Sequence, residues 1–341
     1  MEAELPMFDE LGEKEELLEN LLIGNGFAIW FSENFSYKNL LDKCEGLEKE
    51  DNALFSSLKT SNFEMCLKTL SNSIIVNEIY GVQDNHQNSY DRIKNSLIET
   101  VRAVHIESSQ IGTLYKEASQ SIFQKSQNIF TTNYDLLTYW TVLSVNNLER
   151  DNQFGDCFYY DYEDGQKMSE LYFSETFATK KKRKIYYLHG ALHLYEEDGV
   201  VKKLSASGDM LLDKMESNIK NGLPPLFVSE GDWELKKKAI DSNPYLQHCY
   251  VRLIKTQGTL TIFGHSLDQH SDQHIVRAIK KSEIAKIVYG VYSNGRSDAD
   301  INYKKARINK IFEGKEVVFF NSDSFFEVEH DPWFGIIRRS R

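Results

Sequence analysis

Short hydrophobic runs alternate along this chain with stretches in which apolar residues recur about every three or four positions. A short apolar run is typical of a buried strand, and the longer spacing is typical of an amphipathic helix. The alternation predicts an α/β fold with a doubly wound, Rossmann-like, mostly parallel sheet and helices in right-handed connections. The predicted strands are Leu21–Ile23, Ile129–Thr132, Ile185–Leu188, Leu226–Val228, Thr259–Phe263, Ile287–Tyr292 and Val317–Phe320.

One long interval, residues 36–125, shows mainly the helical spacing. We therefore expect residues 1–35 and 126–341 to form a Rossmann-like domain, with a helical insertion or cap at 36–125. The pattern is compatible both with a cap that closes a cleft and with an oligomer surface. Residues 150–184 are expected to be polar and irregular, and residues 192–201 to form a hairpin around an Asp-Gly turn.

Composition narrows the class of protein. The 341 residues are 41% hydrophobic and 27% charged, as in a globular domain, and a net charge of -11 argues against general nucleic-acid binding. The basic run Lys180–Lys184 is accordingly expected to be a solvated loop. Four scattered cysteines without a Cys-x-x-Cys pair favour a reducing, cytoplasmic compartment. No apolar run reaches the roughly 18–20 residues of a membrane span, so we expect no membrane association.

Candidate chemistry lies at the ends of the predicted strands, because open α/β sheets bind ligands beyond the carboxyl ends of their strands. His189 and Gly190 follow one buried run, and an imidazole with a pKa near ~6.5 suits a catalytic base. A single histidine at a strand end is more often structural. His265, His270 and His274 match no common spacing of metal ligands, so no metal is expected.

Two further strand ends leave alternatives open. Gly24-Asn25-Gly26 is compatible with a turn that binds a pyrophosphate and with a plain tight turn. Asn133 and Asp135 suit helix N-caps, and they also suit polar groups that face the same crevice as the Gly24–Gly26 turn.

Taken together, four of these motifs resemble the NAD-binding signatures of the sirtuin superfamily, and most closely its bacterial branch found in anti-phage defence proteins. They occur in the same order as in that family. The motifs are Gly24-Asn25-Gly26, Thr131-Thr132-Asn133-Tyr134-Asp135, Leu188-His189-Gly190 and Gly264-His265-Ser266-Leu267.

The resemblance implies roles for the matching positions. His189 would be the catalytic base, and Asn133 and Asp135 would hold the nicotinamide ribose and the attacking water. The further positions implied in binding NAD+ are Gly24, Asn25, Gly26 and Phe27 at the pyrophosphate, Thr132 at the nicotinamide ribose, Gly264 and Ser266 at the phosphate or adenosine ribose, Asp272 at the next helix start, and Asn294 on the adenine side.

The chain also departs from the sirtuin pattern. It lacks the paired Cys-x-x-Cys motifs of the sirtuin zinc module, and Val228-Ser229-Glu230-Gly231 stands where deacylases have Phe-Gly-Glu. Asn25 replaces a usual alanine and Thr132 a usual glutamine. These departures affect the peptide-binding parts more than the NAD-binding parts.

The function that the resemblance implies is therefore an NAD+ glycohydrolase that uses NAD+ as substrate and no metal, in prokaryotic anti-phage defence. Such an enzyme would need restraint by a homo-oligomer or by a regulatory partner protein encoded nearby. The alternatives are an NAD-dependent protein deacylase or ADP-ribosyltransferase, and a non-catalytic sensor that binds NAD or ADP-ribose.

Overall fold

The computed structural model describes residues 5–31, 41–61, 63–83, 85–105, 111, 113–163, 166–175, 182–205, 210–228 and 233–326. In chain order, the strands are β1 (Asn20–Ile23), β2 (Asn128–Thr131), β3 (Phe154–Gly155), β4 (Phe158–Glu163), β5 (Gln166–Phe173), β6 (Arg183–Tyr187), β7 (Gly190–Glu197), β8 (Val200–Lys203), β9 (Pro225–Phe227), β10 (Gln257–Phe263), β11 (Glu283–Val291) and β12 (Glu316–Asn321).

The helices are α1 (Lys14–Leu17), α2 (Gly26–Phe31), α3 (Lys49–Leu58), α4 (Phe63–Tyr80), α5 (His86–Val104), α6 (Thr113–Lys125), α7 (Leu137–Leu148), α8 (Met210–Lys220), α9 (Trp233–Ser242), α10 (Pro244–Ile254), α11 (Gln273–Lys281) and α12 (Asp298–Ile311). Short 3₁₀ turns cover Phe8–Leu11 and Ser322–Ser324. In the described part of the chain, no helix is long and apolar enough to cross a membrane.

Seven strands form one parallel sheet in the order β12-β11-β10-β1-β2-β6-β3. The chain leaves β1 toward β2 and β6, then returns to the other side of β1 and continues through β10, β11 and β12. Apart from the edge strand β3, this is the 3-2-1-4-5-6 order of a doubly wound sheet. The α/β, Rossmann-like prediction is confirmed, and the order reverses between β1 and β10.

Burial explains why these strands could be recognised from the hydrophobic pattern. All four residues of β1 are buried, and the last four residues of β10 are buried as well. A parallel sheet covered by helices on both faces favours such continuous apolar runs.

A second sheet, antiparallel and five-stranded, has the order β4-β5-β8-β7-β9. The predicted hairpin is present as β7 and β8, with Asp198 and Gly199 at positive φ in its turn. The prediction of an irregular segment at 150–184 was wrong, because β3, β4 and β5 lie there and β6 begins at Arg183. In β4 the polar and aromatic residues are mixed, which hides the alternation on which a strand prediction depends.

Helices α3, α4, α5 and α6 lie within the interval 36–125. The division of the chain into a Rossmann-like domain and a helical insertion stays a prediction. Lys180 and Lys181, part of the basic run, lie outside the described residues, as do Ser229, Glu230 and Gly231.

Candidate functional site

The strand register brings four predicted motifs into one row at the carboxyl edge of the parallel sheet. Ile23 of β1 is paired with Phe263 of β10 on one side and with Thr131 of β2 on the other. Thr131 is in turn paired with Tyr187 of β6. The residues that follow these positions therefore leave the sheet side by side, in the spatial order Gly264, Gly24, Thr132 and Leu188.

Backbone hydrogen bonds continue this row past the last paired residues. The N–H of Gly24 donates to the carbonyl of Phe263 at 2.9 Å, that of Thr132 to Ile23 at 3.1 Å, and that of Leu188 to Thr131 at 2.8 Å. One position further along, Asn133 and His189 follow adjacent strands. The register thus places these two residues after neighbouring strands, at the same edge of the sheet.

The glycines at the β1–β10 reversal have a packing reason. A Cβ on Gly24 would lie 2.6 Å from the carbonyl oxygen of Gly264, and a Cβ on Gly26 would lie 2.5 Å from the Cα of Gly264. Gly264 itself has φ +66°, which side-chain-bearing residues rarely adopt. The close approach of the two strand ends therefore requires all three glycines.

Several backbone N–H donors at the Gly24–Gly26 turn are paired within the protein. The N–H of Gly26 donates to the carbonyl of Gly264 at 2.9 Å, and that of Phe27 donates to Gly24 at 3.0 Å. The ring of Phe27 is fully buried and packs against Phe123 and Phe326. These contacts favour a tight turn anchored in the core, and a pyrophosphate contact at this turn stays a prediction.

Asn133 and Asp135 are both buried after β2, in different hydrogen-bonding states. Asn133 is 4% exposed, and its Nδ2 group has no hydrogen-bond partner among the described residues. Asp135 accepts a hydrogen bond from the N–H of Leu137 at 2.8 Å, but it lies one position before Leu136, the N-cap residue of α7. Burial raises the pKa of Asp135 to about 6. Asn133 is thus the group of the two with an unused donor.

His189 contacts a histidine that the spacing of residues did not single out as its partner. Its Nε2 atom lies 2.8 Å from Nε2 of His274, which comes from the start of α11. His274 is fully buried, and its Nδ1 atom has no partner in the described structure. Since two neutral imidazoles share one proton across such a contact, one ring donates and the other accepts.

Burial, with a smaller effect of nearby charges, holds this pair neutral. Burial lowers the pKa of His189 well below its usual value, with a smaller contribution from the Lys236 ammonium, and burial lowers the pKa of His274 to about 3. Lys236 forms an ion pair with Asp272 at 3.2 Å. Burial alone would raise the pKa of Asp272, but His265 and Lys236 together hold it below its usual value.

The three histidines considered as metal ligands, His265, His270 and His274, do not form one cluster in the described residues. His270 is exposed, and Nδ1 of His265 accepts a hydrogen bond from the N–H of Leu267 at 3.0 Å. Potential ligand atoms of His189, Asp272 and His274 instead lie within 4.8 Å of one another. Two imidazoles and a carboxylate suit several transition metals, so the absence of a metal stays a prediction.

The remaining predicted residues, Ser266 and Asn294, follow strands β10 and β11. The carbonyl of Ser266 accepts hydrogen bonds from Lys304, at 2.8 Å, and from Arg307. Burial lowers the pKa of Lys304 to about 8. Asn294 is exposed in the turn after β11.

Sequence reasoning missed three residues near the site: Lys236, Lys304 and Arg307. It considered His274 only as a metal ligand. The three missed residues come from α9 and α12, and each lies on a helix whose local pattern is that of an ordinary amphipathic surface helix. Only their contacts with strand-end residues distinguish them, and local spacing does not carry that information.

Comparison with known proteins gives a family and solved structures of low sequence identity. The chain belongs to the family described as a domain of unknown function (DUF4917), whose model matches residues 21–326. No curated protein sequence matches it. A solved structure titled "Structural Basis for the Mechanism and Regulation of Sir2 Enzymes" is 10% identical, with a TM-score of 0.36, over 91% of this chain and 92% of that chain.

Proposed function

We propose that this chain is a sirtuin-like NAD+ hydrolase that cleaves NAD+ to nicotinamide and ADP-ribose at the carboxyl edge of its parallel sheet. The observation that supports the proposal is that buried Asn133 and buried His189 follow neighbouring strands, near the reversal of strand order at β1 and β10. In doubly wound folds the reversal point is where dinucleotides bind.

Cleavage of NAD+ does not require a general acid from the protein. Nicotinamide is a cationic substituent in NAD+ and leaves as a neutral molecule, so the bond to ribose breaks without a proton donor. Water then forms the new bond to the ribose carbon and gives up a proton. A water-poor pocket and dipoles that support a positively charged ribose lower the barrier to this step.

Asn133 and His189 supply the two groups that the water needs. The unpaired Nδ2 donor and the amide oxygen of Asn133 orient the water without adding a charge. His189 is neutral at rest and takes the proton. Since its Nε2 atom faces His274, Nδ1 is the nitrogen left for the substrate side.

Basic side chains around the site suit the two negative charges of the pyrophosphate. Lys304 and Arg307 lie at the carbonyl of Ser266, and Lys236 lies next to His189 and His274. A bound anion neutralises part of the positive charge that lowers the pKa of His189. Substrate binding is therefore expected to raise that pKa and to make the imidazole a stronger base.

The test is incubation of the purified chain with NAD+, alone and with neighbouring gene products, followed by chromatography of nicotinamide and ADP-ribose. We expect one nicotinamide per ADP-ribose, and loss of release in His189→Ala. His270→Ala is the matched control, because His270 is exposed and close in sequence to the cluster. Undiminished release by His189→Ala would overturn the proposal.

The same assay separates the alternatives. A deacylase would require an acyl-peptide for turnover, and an ADP-ribosyltransferase would transfer label from NAD+ to protein. A sensor would bind NAD+ or ADP-ribose with one-to-one stoichiometry and release no nicotinamide.

We also propose that assembly with other chains controls this NAD+ hydrolase activity, and that the protein acts in anti-phage defence. The support for both is the sequence resemblance to the sirtuin superfamily. The exposed apolar side chains near the end of α4 suit an association surface, and they include Ile75, Val76, Ile79 and Tyr80. Control by assembly is tested by measuring the size of the wild-type protein and of Ile79→Lys in solution. The role in defence is tested by measuring the plating efficiency of phage on cells that express each protein.

A further inference from the structure

A cysteine, a histidine and a glutamate from three separate elements meet at a second place in the molecule. Sγ of Cys157, between β3 and β4, lies 3.7 Å from Nε2 of His248 in α10. Nδ1 of His248 lies 2.9 Å from Oε1 of Glu175, just after β5. This is the order nucleophile, base and orienting group that defines a catalytic triad in space.

The protonation states of the three groups follow from their partners. An ionised carboxylate only accepts hydrogen bonds, so Nδ1 of His248 carries the proton that it donates to Glu175. In the neutral ring, Nε2 then has a free lone pair, and this atom faces the Cys157 thiol. The imidazole is therefore in the tautomer that accepts a proton from sulfur.

The backbone of Cys157 is a second, independent observation. Cys157 has φ +66°, and among the described non-glycine residues only Lys59, Asp198 and Leu267 also have positive φ. Lys59 ends a helix and Asp198 lies in a hairpin turn, where such values are usual. A side-chain-bearing residue in this conformation costs about 1–3 kcal/mol, and such residues cluster at functional sites.

The imidazole is buried against two aromatic rings, and its two partners are more accessible. His248 packs against Phe173 at 5.3 Å and Tyr186 at 6.2 Å between ring centroids. Cys157 is half-buried, and the side chain of Glu175 is 62% exposed. A fixed base next to a thiol near the surface suits reaction with a substrate that arrives from solvent.

We propose that Cys157, His248 and Glu175 form a nucleophilic thiol site that transfers acyl groups from esters or thioesters. His248 takes the thiol proton as sulfur attacks the carbonyl carbon. The new S–C bond forms, the bond from that carbon to the leaving oxygen or sulfur breaks, and the leaving group takes the proton from His248. Water, deprotonated by the same nitrogen, then hydrolyses the acyl-cysteine to a carboxylic acid and free thiol.

Burial keeps the resting thiol and imidazole neutral. It raises the pKa of the Cys157 thiol and lowers the pKa of His248, so the proton moves during attack. Lys184 and Arg252 lower the pKa of the thiol, whereas two nearby carboxylates raise it.

This thiol site is separate from the crevice that holds His189. β3, which precedes Cys157, is paired with Arg183 and Lys184 at the amino end of β6. His189 follows the carboxyl end of the same strand. The two sites therefore lie toward opposite ends of β6 and are testable separately.

The experiment is mixing of the full chain with p-nitrophenyl acetate, with p-nitrophenolate release followed by absorbance and the acetyl group located by mass spectrometry. We expect a burst near one equivalent per chain, with acetyl on Cys157, and loss of the burst in Cys157→Ala. Cys44→Ala is the matched control, because Cys44 is the other half-buried thiol. A burst that survives Cys157→Ala, or falls equally in Cys44→Ala, contradicts the proposal.

The roles of the other two residues need their own readouts. His248→Gln is expected to slow acetylation by about a hundredfold. Glu175→Ala is expected to slow it several-fold, by roughly 1 kcal/mol or less of transition-state free energy, and Glu175→Gln to restore part of the rate because its amide oxygen accepts the Nδ1–H. If Glu175 only anchors α10, the two Glu175 variants will differ in melting temperature and not in acetylation rate.

A measurement on the unaltered protein covers the case in which a variant does not fold. Iodoacetamide labelling of wild type, resolved by residue, is expected to modify Cys157 at least about tenfold faster than Cys44. Equal rates, or faster modification of Cys44, would overturn the proposal without any substitution.

Discussion

The crevice at the carboxyl edge and the thiol site near the amino end of β6 are built in different ways. Residues of the crevice follow four adjacent strands, so one register places Gly264, Gly24, Thr132 and Leu188 together. The thiol site joins a residue before β4, a residue after β5 and a residue of α10. Sheet register organises the strand ends of the first site. At the second site, the pairing of β4 with β5 brings Cys157 close to Glu175, and the packing of α10 adds His248.

The two sites also differ in how their polar groups are satisfied. In the crevice, Nδ2 of Asn133 and Nδ1 of His274 have no partner among the described residues. At the thiol site each member of the triad faces the next. Unsatisfied buried groups cost folding free energy, and they are what a bound substrate or water is expected to satisfy.

The largest expected effect is that a substitution at either site abolishes the activity of that site and leaves the other activity unchanged. His189→Ala is expected to lower nicotinamide release by at least about 100-fold and to change acetylation of Cys157 by less than about twofold, because distant sites act independently. Cys157→Ala is expected to show the reverse. Both rates are measured on the same preparations, and a variant that lowers both rates equally would show that the sites are coupled.

A smaller but still large effect is expected on stability, from the packing of the crevice. Gly264→Ala puts a Cβ about 2.7 Å from the Cα of Gly26 at φ +66°, and should lower the free energy of unfolding by about 3 kcal/mol or more. Gly295→Ala is the matched control, because Gly295 has φ +69° and nothing within 4 Å of the added Cβ.

Gly295→Ala has the same backbone strain but no steric contact. Its free energy of unfolding should therefore fall by only about 1 kcal/mol. Urea denaturation of both variants measures the difference. If the two losses are equal, the contact between the β1 and β10 ends does not require glycine.

A pH effect follows from the buried carboxyl of Asp135. Its pKa is raised to about 6 in the folded chain, so the folded state binds more protons than the unfolded state between pH ~4 and ~6. The stabilising contribution of Asp135 is fully present below its pKa in the unfolded chain. It is lost as pH rises through its pKa in the folded chain. The free energy of unfolding should therefore fall by about 2–3 kcal/mol across this window.

Asp135→Asn should remove this slope because an amide does not titrate in this pH range. Its oxygen can still accept the hydrogen bond from the N–H of Leu137, so the fold should be kept. Denaturation at several pH values compares it with Asp151→Asn, an exposed control that should keep the slope. An unchanged slope in Asp135→Asn would assign the pH effect to other groups.

The smallest expected effect concerns substrate binding. Lys304→Met removes a cation next to Ser266 and is expected to raise the KM for NAD+ several-fold with little change in kcat, which corresponds to about 1 kcal/mol. Lys305→Met, one residue away on the same helix, is the control. Equal KM values for both variants would exclude Lys304 from the pyrophosphate contact.

Much of the fold was predictable because burial leaves a local trace. Parallel strands covered on both faces are continuous apolar runs, as in Leu21–Ile23 and Leu260–Phe263. The segment 150–184 was not predictable in the same way, since its strands mix polar and aromatic residues. Edge and antiparallel strands expose one face, and their pattern resembles that of a polar loop.

The sequence by itself determined the alternation of strands and helices and the small polar residues at the strand ends, since both follow from local spacing. Only the tertiary structure decided that His274 meets His189, that Lys304 reaches Ser266, and that His248 joins Cys157 to Glu175. The reason is physical: these contacts link residues dozens of positions apart, and the local hydrophobic pattern records which face is buried but not which distant side chain lies against it.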